Sequence, residues 1–142
     1  MDTRLMTKLS LGACLVVGIL AASGCAGEPA YEALSRPAQA ADAVGNAVLA
    51  DAQYDPDTAR FIADWDSYSV YLATKTDDAG KTSPCIVVLE QPLTTSNWAG
   101  ACGDATGPVT LGFDGHVFRI ATEGANPSET GWTKLDTNVY VR

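Results

Sequence analysis

Val109-Thr110-Leu111-Gly112-Phe113-Asp114-Gly115-His116-Val117-Phe118-Arg119-Ile120-Ala121 decides the fold class of this chain. Two runs rich in apolar residues flank Asp114-Gly115, a dipeptide that readily takes the positive φ values of a type I′ turn, so the stretch predicts a β-hairpin. Similar punctuation recurs on either side. Val70, Leu72 and Thr74 alternate with Tyr71 and Ala73, as in a strand with side chains on both faces, and Asp77-Asp78-Ala79-Gly80 follows as a turn. Cys85 to Leu89 is a continuous apolar run, the mark of a strand buried on both faces or at the centre of a sheet. Phe61 and Ile62 belong to an earlier run, and Trp98 to Cys102 to a later one with small residues. The chain ends with Trp132 to Leu135, a turn at Asp136 to Asn138, and Val139 to Val141. The expectation is a mainly β fold, a small antiparallel sheet of about six short strands with one N-terminal helix, with α+β as the alternative class.

Upstream of the strands the composition changes twice. Residues 38–54 are dominated by Ala, and Val44, Val48 and Leu49 give a weak apolar stripe on a helix that Gly45 and Asn46 interrupt. This segment is expected as a marginal helix lying on the domain or continuing as a stalk. Residues 25–37 hold mostly Gly, Pro, Ala and Glu and predict a flexible tether. The ordered domain is therefore expected over residues 55–142.

Residues 1–24 have the three parts of an export signal. Arg4 and Lys8 precede an apolar stretch from Leu9 to Ala22, interrupted by Gly12 and Gly18. At about 14 residues it falls short of the roughly 20 that a membrane-spanning helix needs. Leu20-Ala21-Ala22-Ser23-Gly24-Cys25 then resembles the lipobox of bacterial lipoproteins, with Ala22 where Leu is commonest. Small residues before Cys25 suit a peptidase cleft. The Cys25 thiol would carry the lipid, fatty acyl chains of the palmitate class holding the protein on the extracytoplasmic side of the cell membrane. An ordinary secretory signal cut near the same place is the competing reading.

Cleavage before Cys25 shortens the 142-residue chain by 24, to 118. Losing Asp2, Arg4 and Lys8 from nine basic and seventeen acidic residues leaves seven and sixteen, a net charge of −9. That balance opposes binding to a nucleic-acid backbone, whose affinity depends on Lys and Arg neutralising phosphates. It also opposes adsorption to anionic lipid, so membrane attachment must come from acyl chains, each buried methylene contributing about 0.8 kcal/mol.

With Cys14 in the signal and Cys25 lipidated, Cys85 and Cys102 remain in the exported body. An oxidising compartment favours a structural disulfide between them, and they lack the Cys-x-x-Cys spacing of a redox-active pair. Catalytic constellations are missing from the sequence. His116 is the single histidine, so no second imidazole joins it in a common zinc site, and no Gly-x-Ser-x-Gly elbow presents a nucleophile. Asp55-Pro56-Asp57 begins like a calcium loop, but Ala59 stands where the next ligand belongs, and capping of a helix or turn explains it better. Asp64 with Asp66, or Glu123 with Glu129, would serve a glycosidase only at a specific separation. No catalytic residue, metal ligand or cofactor is assigned.

Trp65, Tyr68, Trp98 and Trp132 all stand beside polar or turn-forming residues. Trp65, Tyr68 and Trp98 are the candidate binding surface, since rings at such positions often contact sugars or peptides. A small domain also needs large rings at its margins to bury enough area.

Arg60-Phe61-Ile62-Ala63, Val70-Tyr71-Leu72-Ala73, Cys85-Ile86-Val87-Val88, Ala101-Cys102-Gly103 and the ending from Gly131-Trp132-Thr133-Lys134-Leu135 through Val139-Tyr140-Val141-Arg142 resemble small exported lipoproteins of high-GC actinobacteria. The resemblance covers about residues 55–142 through short motifs. It implies a cell-surface setting and carries over no activity. The functional expectation is a non-catalytic cell-envelope lipoprotein whose β-rich domain binds an envelope protein or wall component. An envelope hydrolase using paired carboxylates and an inhibitor or immunity-like lipoprotein are the alternatives. A deep pocket with converging carboxylates favours the enzyme, a sheet face with exposed tryptophans the binder, and a protruding rigid loop the inhibitor.

Overall fold

In the computed structural model, which describes residues 31–105, 107–122, 127 and 130–142, Asp114 and Gly115 have φ values of 47° and 79°. Positive φ at both central positions defines the type I′ turn, and Gly115 adopts it without the steric cost of a Cβ. The elements in chain order are α1 (Glu32–Ser35), a 3₁₀ turn (Ala40–Gly45), α2 (Asn46–Asp51), and strands β1 (Asp55–Trp65), β2 (Tyr68–Thr76), β3 (Thr82–Glu90), β4 (Trp98–Cys102), β5 (Val109–Phe113), β6 (His116–Ile120), β7 (Thr133–Asp136) and β8 (Val139–Val141). The hairpin signal becomes β5 and β6, paired from Val109 opposite Ile120 to Phe113 opposite His116.

The fold is mainly β, but in two antiparallel four-stranded sheets rather than one sheet of about six strands. One has the order β1-β2-β3-β4 and the other β5-β6-β8-β7. The difference arises after Cys102, where Gly103 to Pro108 resembles a hairpin loop yet carries the chain from one sheet to the other. Gly103 permits this passage, since a Cβ there would lie 2.6 Å from Cγ2 of Val109. The sheets also approach each other along both margins, β4 beside β5 and β1 beside β7.

Two-sided burial of β2 and β3 explains the continuous apolar run. On one face Tyr68, Val70, Leu72, Ile86 and Val88 meet Val109, Leu111, Phe118, Ile120, Val139 and Val141 of the second sheet. On the other face Tyr71, Ala73, Cys85, Val87 and Leu89 pack beneath Val48, Leu49, Ala52 and Tyr54. The result is three layers, and each large aliphatic side chain fully buried contributes about 1.5–3 kcal/mol.

Residues 38–54 are therefore a packed layer, not a stalk. Val48 and Leu49 are buried, but Val44 is 66% exposed because the chain changes from a 3₁₀ to an α turn at Gly45–Asn46, which breaks the expected stripe. Of the expected tether, residues 31–36 are docked as well. Tyr31 and Ala33 are buried in the core between the sheets, and the Tyr31 hydroxyl donates to the Gly107 carbonyl at 2.9 Å. The signal over residues 1–24, Cys25 and residues 26–30 lie outside the described residues.

Cys85 and Cys102 stand directly opposite each other on β3 and β4, and their sulfurs are within bonding distance. The bridge closes a segment with a sequence separation of 17. Closing a loop of this size restricts the unfolded chain by about 3 kcal/mol in the chain-entropy model. Replacing both cysteines by Ala is expected to lower the denaturant midpoint by a corresponding amount, read by urea unfolding under non-reducing conditions. An unchanged midpoint would remove the bridge as a source of stability.

Candidate functional site

The three aromatic residues singled out from the sequence do not share a surface. Tyr68 is buried, and its hydroxyl donates to Oδ2 of Asp114 at 2.5 Å, joining the β1–β2 end of one sheet to the β5–β6 turn of the other. Trp65 lies edge-on to His116, with centroids 4.6 Å apart, and to Phe118 at 5.9 Å. His116 thus belongs to an aromatic seam between the sheets, where edge-to-face geometry suits the ring quadrupoles. Trp98 sits on the opposite face of the first sheet, edge-on to Tyr54 at 5.9 Å. The guanidinium carbons of Arg119 and Arg142 lie over the Trp132 ring, 4.6 and 4.7 Å from its centroid.

A different site forms where β1, the start of β2, the loop after β3 and the 3₁₀ turn converge. It is a pocket of about 460 Å³ lined by Ala41, Val44, Phe61, Asp64, Ser69, Gln91, Pro92 and Leu93. That volume lies within the usual range for small-ligand sites, and most of its lining is apolar. Three polar side chains meet on one side of it. Ser69 faces Asp64 across the β1–β2 ladder, and its Oγ donates to Asp64 Oδ1 at 2.7 Å. Gln91 Nε2 donates to the same carboxylate oxygen and to Ser69 Oγ, both at 2.8 Å. The Gln91 backbone N–H donates to the Ser67 carbonyl at 2.8 Å, tying the loop to the β1–β2 turn, and the Gln91–Pro92 peptide is cis.

The opposite wall depends on Asp42, a buried carboxylate in the 3₁₀ turn. Arg36 grips both its oxygens, Nη1 to Oδ2 at 2.8 Å and Nη2 to Oδ1 at 2.6 Å. The backbone N–H groups of Gln39 and Phe61 donate to the same carboxylate, each at 2.7 Å. Arg36 also donates to the Phe61 carbonyl at 3.1 Å, so one guanidinium–carboxylate pair fixes the backbone of a pocket-lining residue from both sides. Burial works to raise the Asp42 pKa, but the Arg36 hydrogen bonds and the two backbone N–H groups outweigh it and hold the carboxyl at about 2.

One carboxylate lines the pocket, Asp64; Asp66 sits in the β1–β2 turn with φ 54° and is not among the lining residues. Glu123 and Glu129 lie outside the described residues. Among the described residues, no three His, Cys, Asp or Glu side chains are placed to hold a metal ion, and no helix is long and apolar enough to cross a membrane. Sequence reasoning did not single out Ser69, Gln91 or Leu93. The cue available was Gln91-Pro92-Leu93, an apolar residue and a proline within a loop, but their partners are distant in sequence. Comparison of the chain with protein-family models, with curated proteins and with solved structures finds no match.

The depressed Asp42 pKa makes its charge a source of folded-state stability. That contribution is complete above the ordinary carboxylate value near 3.9 and is lost as pH falls toward about 2. Asp42→Asn is expected to destabilise the protein by about 2–3 kcal/mol at neutral pH and to flatten the loss of stability between about pH 4 and pH 2, measured by urea unfolding across that range. An unaltered acid profile would remove Asp42 from the account. Trp65→Ala should cost about 2–3 kcal/mol, less than for a fully buried ring, with denaturant unfolding as the check. A variant of native stability would return Trp65 to the role of a free surface ring.

Proposed function

We propose that this protein is a non-catalytic cell-envelope lipoprotein whose domain captures an apolar portion of an envelope protein or wall component in the Asp64–Ser69–Gln91 pocket. The observation that carries the reading is the pocket itself, an apolar concavity of about 460 Å³ with three interlinked polar side chains at its edge. Such a combination provides binding area through its apolar walls and orientation through its polar atoms. With a single carboxylate in the pocket it gives less support to paired-carboxylate hydrolysis.

The anchor and the pocket are compatible in space. From a lipidated Cys25 to Tyr31 the chain spans six residues, a reach of at most about 20 Å. Tyr31 is tied to Gly107, at the end of the strands where the chain passes from β4 to β5. Asp64, Ser69 and Gln91 lie at the other end of the first sheet. The six steps of β3 from Pro84, which pairs with Gly103, to Glu90, the residue before Gln91, amount to about 20 Å. A short N-terminal leash would therefore hold one end near the bilayer and present the pocket away from it.

Two variants separate the parts of this reading. Cys25→Ser is expected to move the protein from the membrane fraction to the soluble envelope fraction; unchanged detergent partitioning would refute lipid anchoring. Ala41→Trp places an indole in the pocket from an exposed position. Cosedimentation of the exported chain with purified envelope should fall at least about tenfold in that variant, as for loss of a binding hot spot, while its circular dichroism stays native. Equal cosedimentation would place the contact elsewhere.

A further inference from the structure

We infer that the pocket selects a ligand bearing a primary ammonium group on an apolar body, with Asp64 as its counter-ion. The inference rests on the pocket being a binding site and names the chemistry it takes. Asp64 is exposed, and its Oδ1 is already occupied by the hydroxyl of Ser69 and the amide of Gln91. Those two donors fix the orientation of the carboxylate without neutralising it. Among the described residues the ion pairs are Arg36–Asp42 and Lys81–Asp104, so no lysine or arginine compensates Asp64. Arg36, which reaches the Phe61 carbonyl on the same strand as Asp64, is committed to Asp42 through two hydrogen bonds.

The remaining lining gives such a cation an apolar companion surface. Phe61, Pro92 and Leu93 form one part of the wall, and Ala41 with Val44 another. Val44 is the exposed large hydrophobic residue of the described chain, 66% exposed at the pocket rim. A fixed, uncompensated carboxylate beside apolar walls is complementary to an ammonium on a hydrocarbon body. It is unfavourable to an anionic head group, which would meet like charge, and it gives a neutral head group only a hydrogen bond. Proton transfer is not needed, and no bond is made or broken.

The test compares hexylammonium with 1-hexanol, two probes of the same chain length, binding to the exported chain carrying Cys25→Ser in detergent-free buffer. Binding is followed by NMR shifts of the Gln91 side-chain amide and the Val44 and Leu93 methyl groups. Hexylammonium is expected to bind with a Kd on the order of 1 mM, the range reached by ligands of so few atoms. It should bind about fivefold to tenfold more tightly than 1-hexanol, as a charge-assisted contact at a partly solvated site allows. Asp64→Asn keeps a carbonyl oxygen for Ser69 and Gln91 and should bring the two probes within about twofold of each other. Val44→Lys, at an exposed position, provides an independent arm: loss of the apolar contact should weaken both probes, and the added positive charge should weaken hexylammonium further, bringing the two within about twofold of each other by the Gln91 and Leu93 signals; it decides the matter if Asp64→Asn fails to fold. Equal affinity for both probes in the parent protein, or an ammonium preference untouched by either variant, overturns the ammonium selectivity while leaving the pocket as a binding site. No shift at the pocket with either probe overturns the pocket reading itself.

Discussion

Burial of the β2–β3 ladder on both faces is the constraint on which the molecule depends. The pairing from Tyr68 opposite Glu90 to Thr76 opposite Thr82 is unbroken, so the side chains of both strands alternate strictly between two cores. A one-residue slip would exchange the set facing the second sheet with the set facing α2. Because both sets are apolar, alternation of polarity does not fix the register by itself. Shape does so instead, since Tyr71 and Ala73 accommodate the helical layer while Tyr68 joins the aromatic seam between the sheets. Cys85 opposite Cys102 sets the register at β4 covalently.

The second dependence is polar and local. Beside the apolar contacts of Val48, Leu49, Ala52 and Tyr54, the chain before β1 is held by Asp42, which gathers four hydrogen bonds on one carboxylate. An isolated buried carboxylate would be costly, but a bidentate guanidinium and two backbone N–H groups leave it well satisfied. Arg60 extends the link by donating from Nε to the Arg36 carbonyl at 3.0 Å. The pocket wall is thus held by the same contact that docks the N-terminal layer, and disturbance of Asp42 would reach Phe61 through its backbone.

These two dependences differ in how far they could be read from the residues. Asp114-Gly115 and the run from Cys85 to Leu89 declare themselves locally, because turn geometry and two-sided burial act on neighbouring residues. The division into two sheets does not, since Gly103 to Pro108 has the same turn-like composition whether it closes a hairpin or crosses between layers. Tyr31 and Leu34 were hidden in a segment whose other residues suit a tether, and their burial depends on a cleft formed by strands far along the chain. In the sequence nothing separates Asp42 from the other acidic residues, and only the approach of Phe61 and Arg36 gives it meaning. Tyr68 likewise stood next to polar residues in sequence, while its ring was needed between the sheets.

The aromatic residues and the pocket illustrate one principle of small domains. A fold with thin layers consumes its large rings at the seams, where Trp65, Tyr68, Phe113, His116 and Phe118 cover the open end between the sheets. Rings committed to closure cannot also move to meet a ligand. Under the reading proposed above, recognition falls to smaller groups on the connecting segments, whose removal would leave both cores intact. Gln91, Pro92 and Leu93 fit that position, in the loop after β3 at the end of the first sheet. Asp64 adds a charge that the fold leaves uncompensated at that point, although it pairs Arg36 and Lys81 with other carboxylates. In a chain with surplus negative charge an unpaired carboxylate alone says little. One held in place by two neutral donors at the edge of an apolar pocket has a defined direction, and the proposed ammonium contact would depend on that direction.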